Sequence, residues 1–530
     1  MTRFNTPQAR PRQAQPFGNT GQTTTHEGGA AFARDEKTAL VMLAVVNMVG
    51  QDTFYEGAQG RDTRYRDLVR SVAAADLEWM TGFVGWLRGA ANMRSASLVA
   101  AAETVRARTD AGLPGGRKVV DAALQRADEP GEILGYWTSN YGRKIPAALK
   151  RGVGDACIRL YTEYSLLKYD TAAHGYRFAD VLELCHVGDV AGSAQHLRGP
   201  WQGHLFKYAV DRRHGNENAV THPLPMLLAN EALRLAVKTH PESLLDADLV
   251  KRAGMTWEDV LPLGGALGLD KRKLWEAVVP SMGYMALLRN LRNFDEAGIS
   301  DGLAAAVAFQ LANPAQVARS RQFPFRFLSA YRNAPSLRWG HALDLALSAS
   351  TANVPALDGS LVLVDTSASM TNRVSSKSDI RHVDIGALIG VTLASRGASS
   401  ELVGYANGVF RHRMAPGGSV LRETERFISR VGEVGHGTQT ADSVRTVFNG
   451  HKRVVVVTDG QAFSSWNGDS LSTAVPPHVP LFSVDTTGYD RTGVDVREPG
   501  RYELGGFSDR MFTMMDLLSR GLDAGWPWEQ

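Results

Sequence analysis

Five oxygen-bearing side chains in the last third of the chain have the types and spacing to hold a hard divalent cation. Asp365-Thr366-Ser367-Ala368-Ser369 is an Asp-x-Ser-x-Ser run, in which alternate residues can aim a carboxylate and two hydroxyls at one point. Asp459-Gly460 follows the apolar run Val454-Val455-Val456-Val457-Thr458, and Gly435-His436-Gly437-Thr438 offers a hydroxyl from a loop just before a helix-like segment. Asp365, Ser367, Ser369, Thr438 and Asp459 thus supply two carboxylates and three hydroxyls. All are hard oxygens, which suit Mg²⁺ or Mn²⁺ rather than zinc.

Catalytic readings fare less well. A phosphatase of the haloacid-dehalogenase kind needs a second Asp two residues after Asp365, and Ser367 stands there. There is no Gly-Lys-Ser/Thr phosphate loop. Metal-dependent phosphohydrolysis stays open as an alternative, but nothing near the two carboxylates is an obvious base for water. The expectation is a binding site, not an enzyme.

The elements that must position these residues begin after Pro355. Ser360–Val364, Leu402–Tyr405, Val454–Thr458 and Leu481–Val484 read as short apolar strands. Val383–Ala394, Leu421–Val431 and Ala441–Phe448 read as the helices between them. Strand–helix alternation predicts an α/β domain with a mainly parallel sheet over 355–530, and ligands in such sheets sit at the carboxyl ends of strands. From 29 to 352 the apolar spacing is helical, as in Tyr65, Leu68, Val69, Val72 and Ala73 and then Leu77, Met80, Phe83, Val84 and Leu87. Breakers at Gly112-Leu113-Pro114-Gly115-Gly116 and Arg198-Gly199-Pro200 cut this region into ordinary helix lengths. That predicts a mainly α, HEAT-like α-solenoid, with no tetratricopeptide or ankyrin consensus. Residues 1–28 are polar, and their first 25 carry three arginines and no acid, so they are expected to be a flexible tail.

Charge is nearly balanced, 58 basic against 55 acidic residues, so any nucleic-acid site must be a local patch. Arg143, Lys144, Lys150 and Arg151 offer one, expected on a single helical stretch with several on a common side, where they would contact phosphates with little sequence preference. Cys157 and Cys185 are the only cysteines, too few for a disulfide scaffold or a cysteine-based zinc site. The Ala39–Val49 apolar stretch is too short to span a bilayer and lacks a signal-peptide layout. The expectation is a cytoplasmic protein with no membrane partner.

Several stretches carry a family resemblance. Tyr141-Gly142-Arg143-Lys144-Ile145-Pro146, Lys168-Tyr169, Arg177–His186, Leu274-Trp275-Glu276-Ala277, Ala286–Leu291 and Pro324-Phe325 follow in order, ahead of the Asp365 loop. In that order they resemble the TROVE module of the Ro autoantigen family, bacterial type, whose members end in a von Willebrand factor A domain. Asp365, Ser367, Ser369, Thr438 and Asp459 match the order of that domain's metal-ion-dependent adhesion site. There the ion keeps an open position for an acidic side chain of a protein ligand. The resemblance implies a monomeric HEAT-like ring closed by the A domain. It further implies binding of small noncoding Y-like RNA and of misfolded RNA ends in RNA quality control, without DNA specificity. Association with an exoribonuclease such as polynucleotide phosphorylase is implied as well. Lys168 and His186 match positions that contact RNA in the family. Asp170-Thr171-Ala172-Ala173-His174 lacks the basic residues of animal members, and Gln439 replaces their acidic residue. A scaffold that binds protein through the A domain, without RNA, is the alternative from a different class.

Overall fold

The computed structural model describes residues 15–46, 49–173, 175–188, 197–216, 223–334, 336–466 and 468–529. They form two compact units: the residues up to Leu68 with Thr351 onward, and Val69–Ser350. In the first, the strands are β1 (Asn19–Thr24), β2 (Ala30–Arg34), β3 (Ser360–Asp365), β4 (Glu401–Tyr405), β5 (Val409–His412), β6 (Arg453–Thr458), β7 (Leu481–Asp485), β8 (Arg491–Thr492) and β9 (Arg501–Gly505). Six make one sheet in the order β5-β4-β3-β6-β7-β9, parallel except for the β4–β5 hairpin. The four expected strands are present, each extended by a residue or so, and helices His382–Arg396, Val420–Ile428 and Thr440–Val447 lie where helices were expected.

Every residue of β3 is buried, as a parallel strand covered on both faces must be. One face sends Leu361, Leu363, Val454 and Val456 into a cluster with Val444 and Val447 of the 440–447 helix. The other receives the 382–396 helix, whose Gly390 lies so close that a Cβ there would sit 2.4 Å from Val364 Cγ2.

The N-terminal segment departs from expectation. Residues 1–14 lie outside the described part, but from Gln15 onward the expected tail is structured. Gln15 donates from Nε2 to the carbonyls of Val496 and Arg501, at 3.0 and 2.8 Å. Phe17 is buried edge-on to Trp526. β1 pairs antiparallel with β2, and β2 with β8. Arg34 of β2 is buried between Asp485 and Glu503, at 2.6 and 2.5 Å. The α/β unit therefore starts far upstream of 355, and takes in Glu36–Ala44 and the chain to Leu68, which periodicity had assigned to the helical region. The partners that tie the β1–β2 hairpin and Gln15 to the rest of the unit lie over 400 residues away, so local composition carries no trace of them.

His382 opens its helix with a fully buried ring, its Nδ1 2.8 Å from the Thr486 carbonyl. Burial, and then the charge of Arg61, pull its pKa down to about 4. The unfolded chain takes up this proton near pH 6.5 while the folded protein does not until about pH 4. Stability from this group is full above pH 6.5 and is lost as pH falls towards 4. Between pH 7.5 and 4.5 the wild type should lose about 2–3 kcal/mol relative to His382→Gln. Melting of both proteins across that range measures it. A constant gap between them would show that the imidazole titrates alike in both states.

In the helical unit the expected breakers hold, since Gly112–Gly116 separates helices Arg94–Asp110 and Arg117–Ala123, and Pro200 opens Pro200–Arg213. The run through Leu77 is split where Asp76 caps Leu77–Gly89 by accepting the Trp79 N–H at 3.0 Å. The unit closes on itself. Asn92 Nδ2 donates to the Arg321 carbonyl at 2.8 Å, and Arg321 donates to Gln125 Oε1 at 2.7 Å, joining helices some 200 residues apart. Among the described residues no helix is long and apolar enough to cross a membrane.

Candidate metal centre and nucleic-acid interface

Asp365 ends β3 and Asp459 follows β6. Val364 pairs in parallel with Val457, so both carboxylates arrive at the same sheet edge. Asp365 Oδ1 accepts the Ser367 N–H at 2.9 Å, which curls the loop and brings the Ser367 and Ser369 hydroxyls within 3.2 Å of each other. Asp365 Oδ2 accepts the Thr458 hydroxyl at 2.7 Å, with the Tyr405 hydroxyl at 3.4 Å. The Thr438 loop is pinned from three sides. Its His436 carbonyl accepts the Ala368 N–H at 2.9 Å, Gln439 N–H donates to the Ala406 carbonyl at 3.0 Å, and the Thr438 carbonyl accepts the Phe463 N–H at 2.9 Å. The three pieces that stand apart in sequence are thus one constellation, and all five side chains are buried.

Its electrostatics suit a cation. Asp459 accepts the Gln461 N–H on Oδ1 at 3.0 Å, while Oδ2 is buried with no hydrogen-bond partner among the described residues. Burial, followed by the charge of Asp365, pushes the Asp459 carboxyl well above the usual range, and burial raises Asp365 as well. Two facing buried carboxylates with a spare oxygen lone pair are what a bound divalent ion would relieve. Among the described residues no three His, Cys, Asp or Glu side chains gather as a metal cluster. The donor set is therefore two acids and three hydroxyls, a composition suited to Mg²⁺ or Mn²⁺. Spacing had not pointed to Thr458 or Tyr405, although Thr458 is the last strand residue before Asp459.

The six candidate RNA residues divide. Arg143 and Lys144 are exposed in the connection between helices Glu129–Tyr141 and Ala147–Leu160, not on one helix with Lys150 and Arg151. Gly142, at φ +75°, ends the first helix, and Pro146 precedes the second. Lys150 lies close enough for its charge to act on the Cys185 thiol, next in sequence to His186. His186 ends helix Phe178–Cys185 in a left-handed conformation with its side chain exposed, so it is no core histidine. His174 lies outside the described residues.

Lys168 alone lies elsewhere, in the wall of a cavity of about 530 Å³ inside the helical unit. Its ammonium sits 5.2 and 5.7 Å from the ring centres of Tyr169 and Tyr164, and Arg126 lies 5.4 Å over Tyr169. Trp257, Met285 and Arg289 complete the rim. Met285 and Arg289 also border a second hollow of about 170 Å³, walled by Arg292 and Arg326. Arg289 and Arg326 have no acidic partner among the described residues. Burial and the like charge of Arg289 lower the Arg326 pKa. Sequence reading missed Arg126, which lies between two helices, and Arg289, Arg292 and Arg326, which come from three separate helices, although Arg289 lies within the Ala286–Leu291 stretch.

The walls of both hollows fall largely within residues 250–338, the span that matches the family model of the TROVE domain. That stretch of the chain is similar to the TROVE domain. The chain is 39% identical over 84 residues to telomerase protein component 1 of Mus musculus, and 40% over 78 residues to that of Rattus norvegicus. Those stretches are 16% and 14% of this chain and 3% of each relative, so it spans a small fraction of their length. The crystal structure of the Deinococcus radiodurans RO (RSR) protein matches it with a TM-score of 0.56 at 18% identity, covering 85% of this chain and 92% of that one. The chain thus shares the fold of that Ro protein, a HEAT-like helical array with an α/β A domain, as the sequence resemblance implied.

Proposed function

We propose that the protein binds RNA through the aromatic and basic hollows of its helical unit. The observation that carries this reading is the convergence of Arg289 and Arg326 without an acidic partner among the described residues, beside a cavity rimmed by Lys168, Tyr164, Tyr169 and Trp257. Like charges held together call for an anion, and aromatic rings lining the cavity suit unstacked bases. Single-stranded RNA supplies both at once. The ligands are the single-stranded ends of misfolded RNA and a small noncoding, Y-like RNA. The exposed Arg143, Lys144, Arg151 and His186 serve a second, outer contact for structured RNA. An exoribonuclease is the partner that this reading calls for in RNA quality control.

At the A domain the reading is a site for Mg²⁺ or Mn²⁺ held by Asp365, Ser367, Ser369, Thr438 and Asp459, which grips an acidic protein ligand. Both Asp365 oxygens already accept hydrogen bonds, which favours a structural ligand over a nucleophile. Trp466 is 88% exposed and Phe463 38% exposed in the loop after Asp459, which adds apolar area to a protein-binding face.

For RNA, the test is affinity against salt. Arg289→Ala with Arg326→Ala should weaken single-strand binding across sequences and flatten the log–log salt slope by about 1.4, roughly 0.7 for each phosphate no longer neutralised. Arg143→Ala with Lys144→Ala should leave single-strand binding unchanged and weaken a structured RNA. Unaltered slopes in both double variants, with melting unchanged, would remove RNA from the reading and leave the protein-binding scaffold.

A further inference from the structure

The segment Thr25–Gly29 straps across the loop that carries Asp459. Thr25 donates from Oγ1 to the Ala462 carbonyl at 2.5 Å, and the Gly29 N–H donates to the same carbonyl at 3.1 Å. His26 N–H donates to Gln461 Oε1 at 2.9 Å, Gly28 bridges Phe463, and the Ser464 hydroxyl donates to the Gly28 carbonyl at 2.8 Å. The fit is close, since a Cβ at Gly29 would lie 2.3 Å from the Ala462 oxygen. Polar links to each of four consecutive residues make this a built attachment and not a passing loop.

The strap carries an acid. The Tyr55 hydroxyl donates to Glu27 Oε1 at 2.5 Å, and the Tyr55 ring stacks on His26 with centroids 5.0 Å apart and against Tyr489 at 5.7 Å. The Tyr55 hydroxyl also meets the Ser369 hydroxyl and feels the charge of Asp459. Ser369 and Asp459 are two of the five candidate ligands. Glu27 is thus tied, one hydroxyl away, to the donors that would face an ion. No function assigned above uses Glu27 or Tyr55. The charged groups around the strap are Glu56, Arg64, Asp490 and Arg491, all of which act on His26.

We propose that the Thr25–Gly29 strap is an internal competitor for acidic ligands at the metal centre. Glu27, aligned by Tyr55 over Ser369 and Asp459, occupies the approach that an outside carboxylate needs. An acidic partner binds fully only after displacing it. The inference rests on the metal reading above and adds to it an access control that belongs to the chain itself.

The test uses the full chain with Mn²⁺, with acetate as the probe carboxylate, on wild type, Glu27→Gln and Tyr55→Phe. Free Mn²⁺ measured by electron paramagnetic resonance gives ion affinity, and water-proton relaxation reports water on the bound ion. Glu27→Gln should keep ion affinity within about threefold, raise the relaxation enhancement, and bind acetate about tenfold more tightly. Tyr55→Phe, which keeps the ring stack, should shift both readings in the same direction and so covers a Glu27 variant that misfolds. Bound Mn²⁺ with unchanged relaxation and acetate affinity in both variants overturns the competitor. No Mn²⁺ uptake by the wild type at millimolar concentration removes the metal reading itself, and the competitor with it.

Discussion

Asp365→Asn should make the protein at least as stable as wild type in chelator, yet insensitive to Mg²⁺ and Mn²⁺. In the absence of an ion, two buried carboxylates share one sheet edge, and burial and the charge of Asp365 force the Asp459 carboxyl towards its neutral form. Removing one of those charges relieves the repulsion. Asparagine keeps an oxygen for the Ser367 N–H, so the loop has no reason to open. An ion that binds only the folded state stabilises by linkage, about 2.7 kcal/mol at a hundred times its dissociation constant, and the variant has lost a charged ligand for it. Melting temperatures should therefore cross: variant at or above wild type in chelator, and below it in millimolar Mn²⁺. Parallel curves that never cross, with wild type indifferent to the ion, would reduce the five residues to an inherited hydrogen-bond network.

Glu129→Ala should be among the most damaging single changes in the helical unit, costing about 3–5 kcal/mol. The Glu129 carboxylate is fully buried and accepts from Arg88 at 2.6 Å, from Arg94 at 3.0 Å, and from the backbone N–H groups of Gln125 and Arg126 at 2.6 and 2.9 Å. Alanine strands a buried Arg88 guanidinium and two amides that precede the 129–141 helix. Glu129→Gln should fall between alanine and wild type, since it keeps the shape and one acceptor. Denaturant unfolding followed by helical signal reads both. A loss below about 1 kcal/mol for alanine would mean that water replaces the carboxylate at little cost.

The metal constellation was legible because each ligand sits at a strand end or in a short motif, and parallel strands deliver their carboxyl ends to one edge by rule. Asp365 and Asp459 needed only the apolar runs before them to be placed. The RNA surface was legible only in outline. Lys168 was found, but Arg126, Arg289 and Arg326 converge on its neighbourhood from a connection and two helices spread over 200 residues, and periodicity says nothing about which helix ends meet. Arg143 to Arg151 looked like one helix because four basic residues in nine suggest a face. Gly142 and Pro146 are the residues that break it, and both were in view. β8 could not be read at all, since it is two residues long and meets β2 only through the tertiary fold, and the local β1–β2 hairpin was hidden by its polar first strand.

The long-range pairing of β2 has a cost in time. It cannot meet β8 until about 450 further residues have been made, which at 5–20 residues per second is a delay of roughly 20 to 90 s. Through that interval Phe17, Phe32 and the buried residues of Glu36–Ala44 have none of their final neighbours from the C-terminal part. We expect nascent chains stalled before β8 to be held by a chaperone that shelters short apolar segments near the amino end, and crosslinking of stalled chains without such a contact would refute it. The small sheet joins the two earliest strands of the unit to one of its latest, so a chain released anywhere before β8 leaves the outer edge of β2 without its antiparallel partner.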